Sequence, residues 1–259
     1  MKRPIKCPNL PETSVCDVAV SGKSPKLLKK LTELNINAII TKENTNLDDR
    51  VSSHTDMLIN NISEGLLLGD SSQRNNIVKF LTIGYEYELT GESVKSPYPC
   101  DSLLNAASAG GRIICNPHTV DKKVIEYAES ADMKIISVKQ GYTKCSVCFV
   151  AENALITDDE SIYNACAENE IDSLLISKGS VKLNGFDYGF IGGCTGLIDK
   201  NKLLFNGDLN YHNDCNKIVD FLKKYAVEPV IIENQPLYDI GGILPLTEKT
   251  CKNQYFPLP

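Results

Sequence analysis

The sequence predicts an α/β fold, a fivefold pseudosymmetric α/β-propeller in which five units form a ring with helices outside and one axial site. Three observations carry this. A short polar-to-apolar segment first seen at His54-Thr55-Asp56-Met57-Leu58-Ile59 echoes at Pro99-Cys100-Asp101, Lys144-Cys145-Ser146, Ile191-Gly192-Gly193 and Asp239-Ile240-Gly241; the middle residues stand 45, 45, 47 and 48 apart, a period typical of repeat architectures. Between echoes, helix-period segments alternate with short apolar strands. Finally, a helix packed outside a few strands cannot bury its apolar face alone, and five equal wedges suit a ring better than an open stack. One domain over residues 1–259 follows.

In chain order, Val15 to Val20 reads as a strand, and Ser24-Pro25 as cap and first residue of a helix carrying Leu27, Leu28, Leu31 and Leu34. Asn35-Ile36-Asn37 stops it, Ala38 to Thr41 is a strand, and Met57-Leu58-Ile59 pairs with Leu66-Leu67-Leu68 as a hairpin. The next unit places Ile77, Val78 and Leu81 on the face of a helix over Ser72 to Leu81. Its hairpin pairs Ser102-Leu103-Leu104 with Arg112 to Cys115 across Gly110-Gly111. The third has a helix capped by Thr119, a strand at Lys134 to Val138, and a hairpin of Val147 to Val150 with Ala154 to Thr157. In the fourth, Asp158 or Asp159 caps a helix bearing Ile162, Ala165 and Cys166. Strands follow at Ser173 to Ser177 and Val181 to Phe190, then a hairpin of Gly196-Leu197-Ile198 with Lys202 to Phe205. The last helix, Asn213 to Tyr225, turns Ile218 and Leu222 inward and leads to a strand at Pro229 to Ile232 and the echo at Asp239.

Composition excludes several functions. With 27 basic against 33 acidic residues and no basic run, nucleic-acid binding is not expected. No apolar run approaches membrane-spanning length and no apolar segment follows the charged N-terminus, so the expectation is a cytoplasmic protein. Ten scattered cysteines fit reduced thiols, most of them small buried hydrophobes.

In a closed ring the echoes line the axis. If residues 54–56 are extended, His54 and Asp56 leave one face together, and a carboxylate beside an imidazole suits a cationic, amidine-like group and proton transfer. A plain polar strand approach is the alternative. The second and third echoes add Cys100-Asp101 and Lys144-Cys145-Ser146, and a cysteine close to a lysine and a histidine has the lowered pKa a nucleophile needs, which makes Cys145 the preferred thiol and Cys100 the second; both also fit as small core residues. Cys145-Ser146-Val147-Cys148 runs into a strand rather than a helix, unlike redox pairs. A zinc site pooled from His54, Cys100, Cys145 and Cys194 lacks any paired ligand spacing, so no metal or cofactor is expected. Gly192, Gly193 and Gly241 mark close backbone approach, and Asp239 supplies a carboxylate or a bond to its own turn.

His54-Thr55-Asp56-Met57, Gln140-Gly141-Tyr142-Thr143-Lys144-Cys145-Ser146, Gly189-Phe190-Ile191-Gly192-Gly193 and Asp239 to Leu246 resemble the pentein superfamily, the fivefold propeller of guanidino-group-modifying enzymes. They look like a bacterial branch without an assigned activity. The resemblance implies a small-molecule enzyme or ligand-binding protein acting on guanidino or amino compounds, as a C–N hydrolase or an amidinotransferase-like protein. Asp56 is similar to the family's guanidinium-holding acid. The family's acidic-Gly-Gly element appears here as Ile191-Gly192-Gly193 without its acid, and its C-terminal cysteine is replaced by Gly241-Gly242-Ile243-Leu244-Pro245, with Cys251 further along. The family's histidine stands on a later repeat, whereas here it is His54. Chemistry then requires Cys145, Cys100, or an acid–base route through His54 and Asp56. The remaining substrate contacts expected are Asp101, Lys144, Gly192, Gly193, Cys194, Asp239 and Gly241. The alternative is a non-catalytic pentein scaffold for a protein partner, as in ribosome-associated factors of similar architecture.

Overall fold

The computed structural model describes residues 1–250, so Cys251 lies outside it. The elements are β1 (Lys2–Pro4), β2 (Val15–Ser21), α1 (Pro25–Glu33), β3 (Asn37–Thr41), α2 (Thr55–Leu58), β4 (Ile59–Ser63), β5 (Leu66–Gly69), α3 (Ile77–Thr82), β6 (Glu86–Leu89), β7 (Ala107–Ala109), β8 (Arg112–Cys115), α4 (Lys122–Ser130), β9 (Lys134–Ser137), β10 (Val147–Ala151), β11 (Ala154–Thr157), α5 (Glu160–Glu168), β12 (Asp172–Leu175), β13 (Thr195–Asp199), β14 (Lys202–Phe205), α6 (Cys215–Lys224), β15 (Glu228–Val230) and β16 (Ile243–Lys249). Among the described residues no helix is long and apolar enough to cross a membrane.

The described strands build five small sheets on one plan: an antiparallel hairpin, a helix, and a third strand parallel to the second. β4-β5-β6, β7-β8-β9, β10-β11-β12 and β13-β14-β15 follow it in chain order. The remaining sheet, β1-β16-β2-β3, takes its hairpin partners from opposite ends of the chain, with β16 antiparallel to β2 and β2 parallel to β3. Buried Glu248 strengthens that clasp by accepting from the Arg3 guanidinium (2.9 Å) and from the N–H groups of Glu12 and Thr13 (2.6 and 2.9 Å).

A common stop ends each helix. Two residues past α1, α3, α4, α5 and α6 stand Asn35, Gly84, Asp132, Glu170 and Ala226, all with positive φ. The next residue donates its N–H back into the last turn, from Ile36 to Leu31, Tyr85 to Phe80, Met133 to Ala128, Ile171 to Cys166 and Val227 to Leu222, at 2.8 to 3.0 Å. Each acceptor is a buried apolar residue, so the stop satisfies carbonyls and anchors the helix to the following strand together. Leu27 and Leu31, Val124 and Ala128, Ile162 and Cys166, and Ile218 and Leu222 are the buried i, i+4 pairs on four helices.

Several expectations are corrected. Thr55 to Leu58 is a helical turn, not a strand. Ser102 to Leu104 lies in a turn, and the inner strand of that hairpin is Ala107–Ala109. Val181 to Phe190 is a loop with a single bridge, Lys182 to Tyr238. On α3, Phe80 is the buried residue, while Val78 and Leu81 are 72% and 56% exposed, because a 3₁₀ turn over Ser71–Asn76 precedes the helix and resets its phase. Asp121 rather than Thr119 caps α4, accepting from the Lys123 N–H, and Asp159 caps α5, accepting from Ser161 and Ile162.

Candidate active site

The segments leading into the inner strands meet through a circuit of hydrogen bonds. The Asp56 N–H donates to the Gly241 carbonyl (3.0 Å), Gly242 N–H to the Gly193 carbonyl (2.7 Å), and Gly193 N–H to the Cys145 carbonyl (3.0 Å). Cys145 N–H donates to the Asn105 side-chain oxygen (3.0 Å), and the Asn105 amide donates to the Asp56 carbonyl (3.2 Å), returning to the start. Such approach requires missing side chains. A Cβ on Gly193 would lie 2.1 Å from Asp239 Oδ1, and one on Gly241, whose φ is +79°, would lie 2.4 Å from the His54 Cα.

Beside this circuit opens a cavity of about 490 Å³ whose polar groups include His54, Asp101, Cys145 and Asp239. Asp239 is buried and accepts from the N–H groups of Phe190 and Gly241, both at 2.9 Å. His54 Nδ1 stands 3.7 Å from Asp239 Oδ1. Burial pushes the Asp239 carboxyl above its ordinary value; the His54 charge opposes this and the nearby Asp56 adds to it. Asp101 accepts from the Tyr142 hydroxyl at 2.9 Å, keeps Oδ1 without a partner, and is also raised by burial.

Aromatic rings wall the cavity: Tyr98, Tyr142, Phe186, Tyr188 and Phe190. Tyr142 packs against Tyr98 and Phe190 with centroids 5.6 and 6.2 Å away, and Tyr188 meets Phe190 edge-on at 5.9 Å. Arg50 fixes the loop that carries three of them, stacking 4.3 Å from the Phe186 centroid and donating to the Gly185 carbonyl at 2.6 Å. Carboxylates among π faces form a setting that favours an organic cation.

The structure thus joins four expected residues in one cavity and sends others elsewhere. Because residues 55–58 turn helically, Asp56 and His54 diverge. Asp56 lines a water-sized space of about 10 Å³ rather than the larger cavity, and its carboxylate stays close enough to Cys145 and Asp239 to act on both. The expected lowering of the Cys145 pKa is also corrected. Its thiol is buried and pushed well above its usual value, first by burial and then by the charges of Asp56 and Asp239, while the Asn105 amide donates to its sulfur at 3.0 Å. Cys100 is half-buried and does not line the cavity. Cys194 is buried with its thiol on the Ile191 carbonyl at 3.2 Å, and its pKa is likewise raised well above the usual value by burial. Gly192 supplies only close approach, for its Cβ would fall 2.4 Å from the Val147 carbonyl oxygen. Among the described residues no group of three or more His, Cys, Asp and Glu is placed to hold a metal ion, so the pooled zinc set does not assemble.

The aromatic wall and Asn105 escaped the sequence reading. Aromatics make up 7% of the chain, yet five stand shortly before the second, third and fourth echoes, which was the available signal.

The fold is that of known guanidino-modifying enzymes. The inosamine-phosphate amidinotransferase StrB1 of Streptomyces griseus matches with a TM-score of 0.58 and 8% identity over 94% of this chain and 97% of its own. The amidinotransferase SxtG of Microseira wollei, from the saxitoxin biosynthetic pathway, matches at 0.55 and 8% over 86% and 90%. The agmatine deiminase of C. jejuni matches at 0.53 and 12% over 90% of each. No curated protein matches in sequence. The chain belongs to a family of unknown function, DUF6873, whose sequence model matches residues 19–244.

Proposed function

We propose that the chain is a closed fivefold α/β-propeller whose axial cavity binds a small organic cation of the guanidino or amino class, with acid–base capacity in the His54 and Asp239 pair. The observation that carries this reading is a buried carboxylate beside an imidazole inside an aromatic-walled cavity. The hydrogen-bond circuit and the chain-end clasp support ring closure. Asp239 and Asp101 hold the positive charge, the tyrosine and phenylalanine faces cover the apolar part, and His54 gives or takes a proton at the bound group. No thiol stands in the segment 241–245, and Cys145 is held neutral, so a covalent route is not part of this reading. The natural setting proposed is the cytoplasm.

A second reading, a scaffold for a protein partner, draws on the outward Val78 and Leu81 of α3. Calorimetric titration with guanidinium and alkylguanidinium salts separates the two. The cavity reading expects binding that Asp101→Asn weakens by about tenfold or more, the typical effect of losing one charge-assisted contact, and Asp239→Asn at least as much. Absence of binding by any organic cation leaves the scaffold reading.

A further inference from the structure

Asp158 stands directly after β11, the second strand of its sheet. The same position after β5, β8 and β14 holds Asp70, Asn116 and Asn206, and in each the side chain is used by the fold. Asp70 accepts from the N–H groups of Ser72 and Val94 and from the Asn44 amide. Asn116 donates to the Lys139 carbonyl and accepts from the His118 N–H, and Asn206 donates to the Tyr238 carbonyl and accepts from the Ser24 hydroxyl. Asp158 has no such duty. It is only 3% exposed, its Oδ1 has no partner, and the cap of α5 has passed to Asp159.

An unpaired carboxylate this deep is costly unless a ligand completes it. Asp158 lines a groove of about 1450 Å³ at the carboxyl ends of β8, β9, β11 and β12. Tyr98 and Tyr142 line both this groove and the central cavity, so the two spaces adjoin at these rings. Lys178, the cation whose field reaches Asp158, makes no salt bridge to it; its ammonium lies 5.8 Å from the Tyr188 centroid. Acidic Asp159, Glu160 and Glu168 share the groove with Lys139, Lys178 and His118.

We propose that Asp158 is a second cation subsite, one that takes the primary ammonium end of a flexible diamine whose other end occupies the central cavity, an assignment that rests on the cavity reading above. Calorimetry with diaminobutane, diaminohexane and diaminooctane, each against butylammonium, tests it on the full chain and on Asp158→Asn and Asp239→Asn. The expected result is that one diamine length binds more tightly than butylammonium and that Asp158→Asn removes this advantage, about tenfold, while butylammonium binding stays unchanged. In protein labelled with ¹³C at aspartate carboxyls, the same diamine shifts the signal that Asp158→Asn deletes. Equal diamine affinity in wild type and Asp158→Asn, or binding that leaves this signal unmoved, overturns the proposal. Loss in Asp239→Asn alone does so too while sparing the cavity reading. Loss in Asp158→Asn while Asp239→Asn binds every ligand as wild type does shows a diamine held outside the central cavity and overturns the proposal, and a failure of every amine to bind overturns it too, leaving the cavity reading to the guanidinium titrations.

Discussion

Cys145 lines the cavity, yet burial and two neighbouring carboxylates hold its thiol protonated, and thiol reactivity follows the thiolate. Native protein treated with iodoacetamide is expected to alkylate half-buried Cys7, Cys16, Cys100 and Cys215 well before Cys145, which mass spectrometry of tryptic fragments reads. Selective early labelling of Cys145 would contradict the electrostatics. Asp158 gives the second residue-scale prediction. Burial raises its carboxyl from the ordinary 3.8 to about 7, with Asp159 and Asp239 adding to the shift and Lys178 opposing it. A carboxyl that binds its proton more tightly when native stabilises the fold below about pH 4 and loses this as pH rises through about 7. Asp158→Asn removes that loss, so the stability decline between those pH values becomes shallower by on the order of a few kcal/mol, measured as urea midpoints. These effects were not legible beforehand, since sequence spacing put Cys145 beside Lys144 and gave no sign that its thiol would be buried near the carboxylates of Asp56 and Asp239.

At the scale of elements, the recurring helix stop explains why residues as different as Asn35, Gly84, Asp132, Glu170 and Ala226 occupy one position: backbone geometry selects it. A β-carbon disfavours positive φ, so Ala226→Gly is expected to raise stability by roughly 0.5–1 kcal/mol, read by denaturant unfolding, after allowing for glycine's greater chain entropy. A loss of stability would show that Val227 does not depend on this geometry to reach Leu222. The stop was readable at Asn35 because an asparagine follows a leucine stripe; at Glu170 and Ala226 no residue type announces it. The β10–β11 hairpin was equally plain, with two apolar runs around Glu152-Asn153. Thr55 to Leu58 was not, because four residues are too few to carry a period. Phe190 and its neighbours looked like a strand since aromatic residues favour strands, but here they face a cavity.

For the whole molecule, the repeat of echo segments was visible in sequence, whereas their hydrogen-bonded meeting and the sharing of one sheet by β2 and β16 depend on contacts between distant segments. The proposed ring puts buried carboxylates, an imidazole and aromatic faces together, drawn from all five echo segments, and this convergence is what the cavity reading rests on. The most direct measurement is a crystal structure of the protein soaked with butylguanidinium at saturating concentration. The account predicts the guanidinium in the central cavity, within hydrogen-bond distance of Asp101 or Asp239 and against an aromatic face. A cavity left unoccupied, or a guanidinium bound only elsewhere, would contradict it.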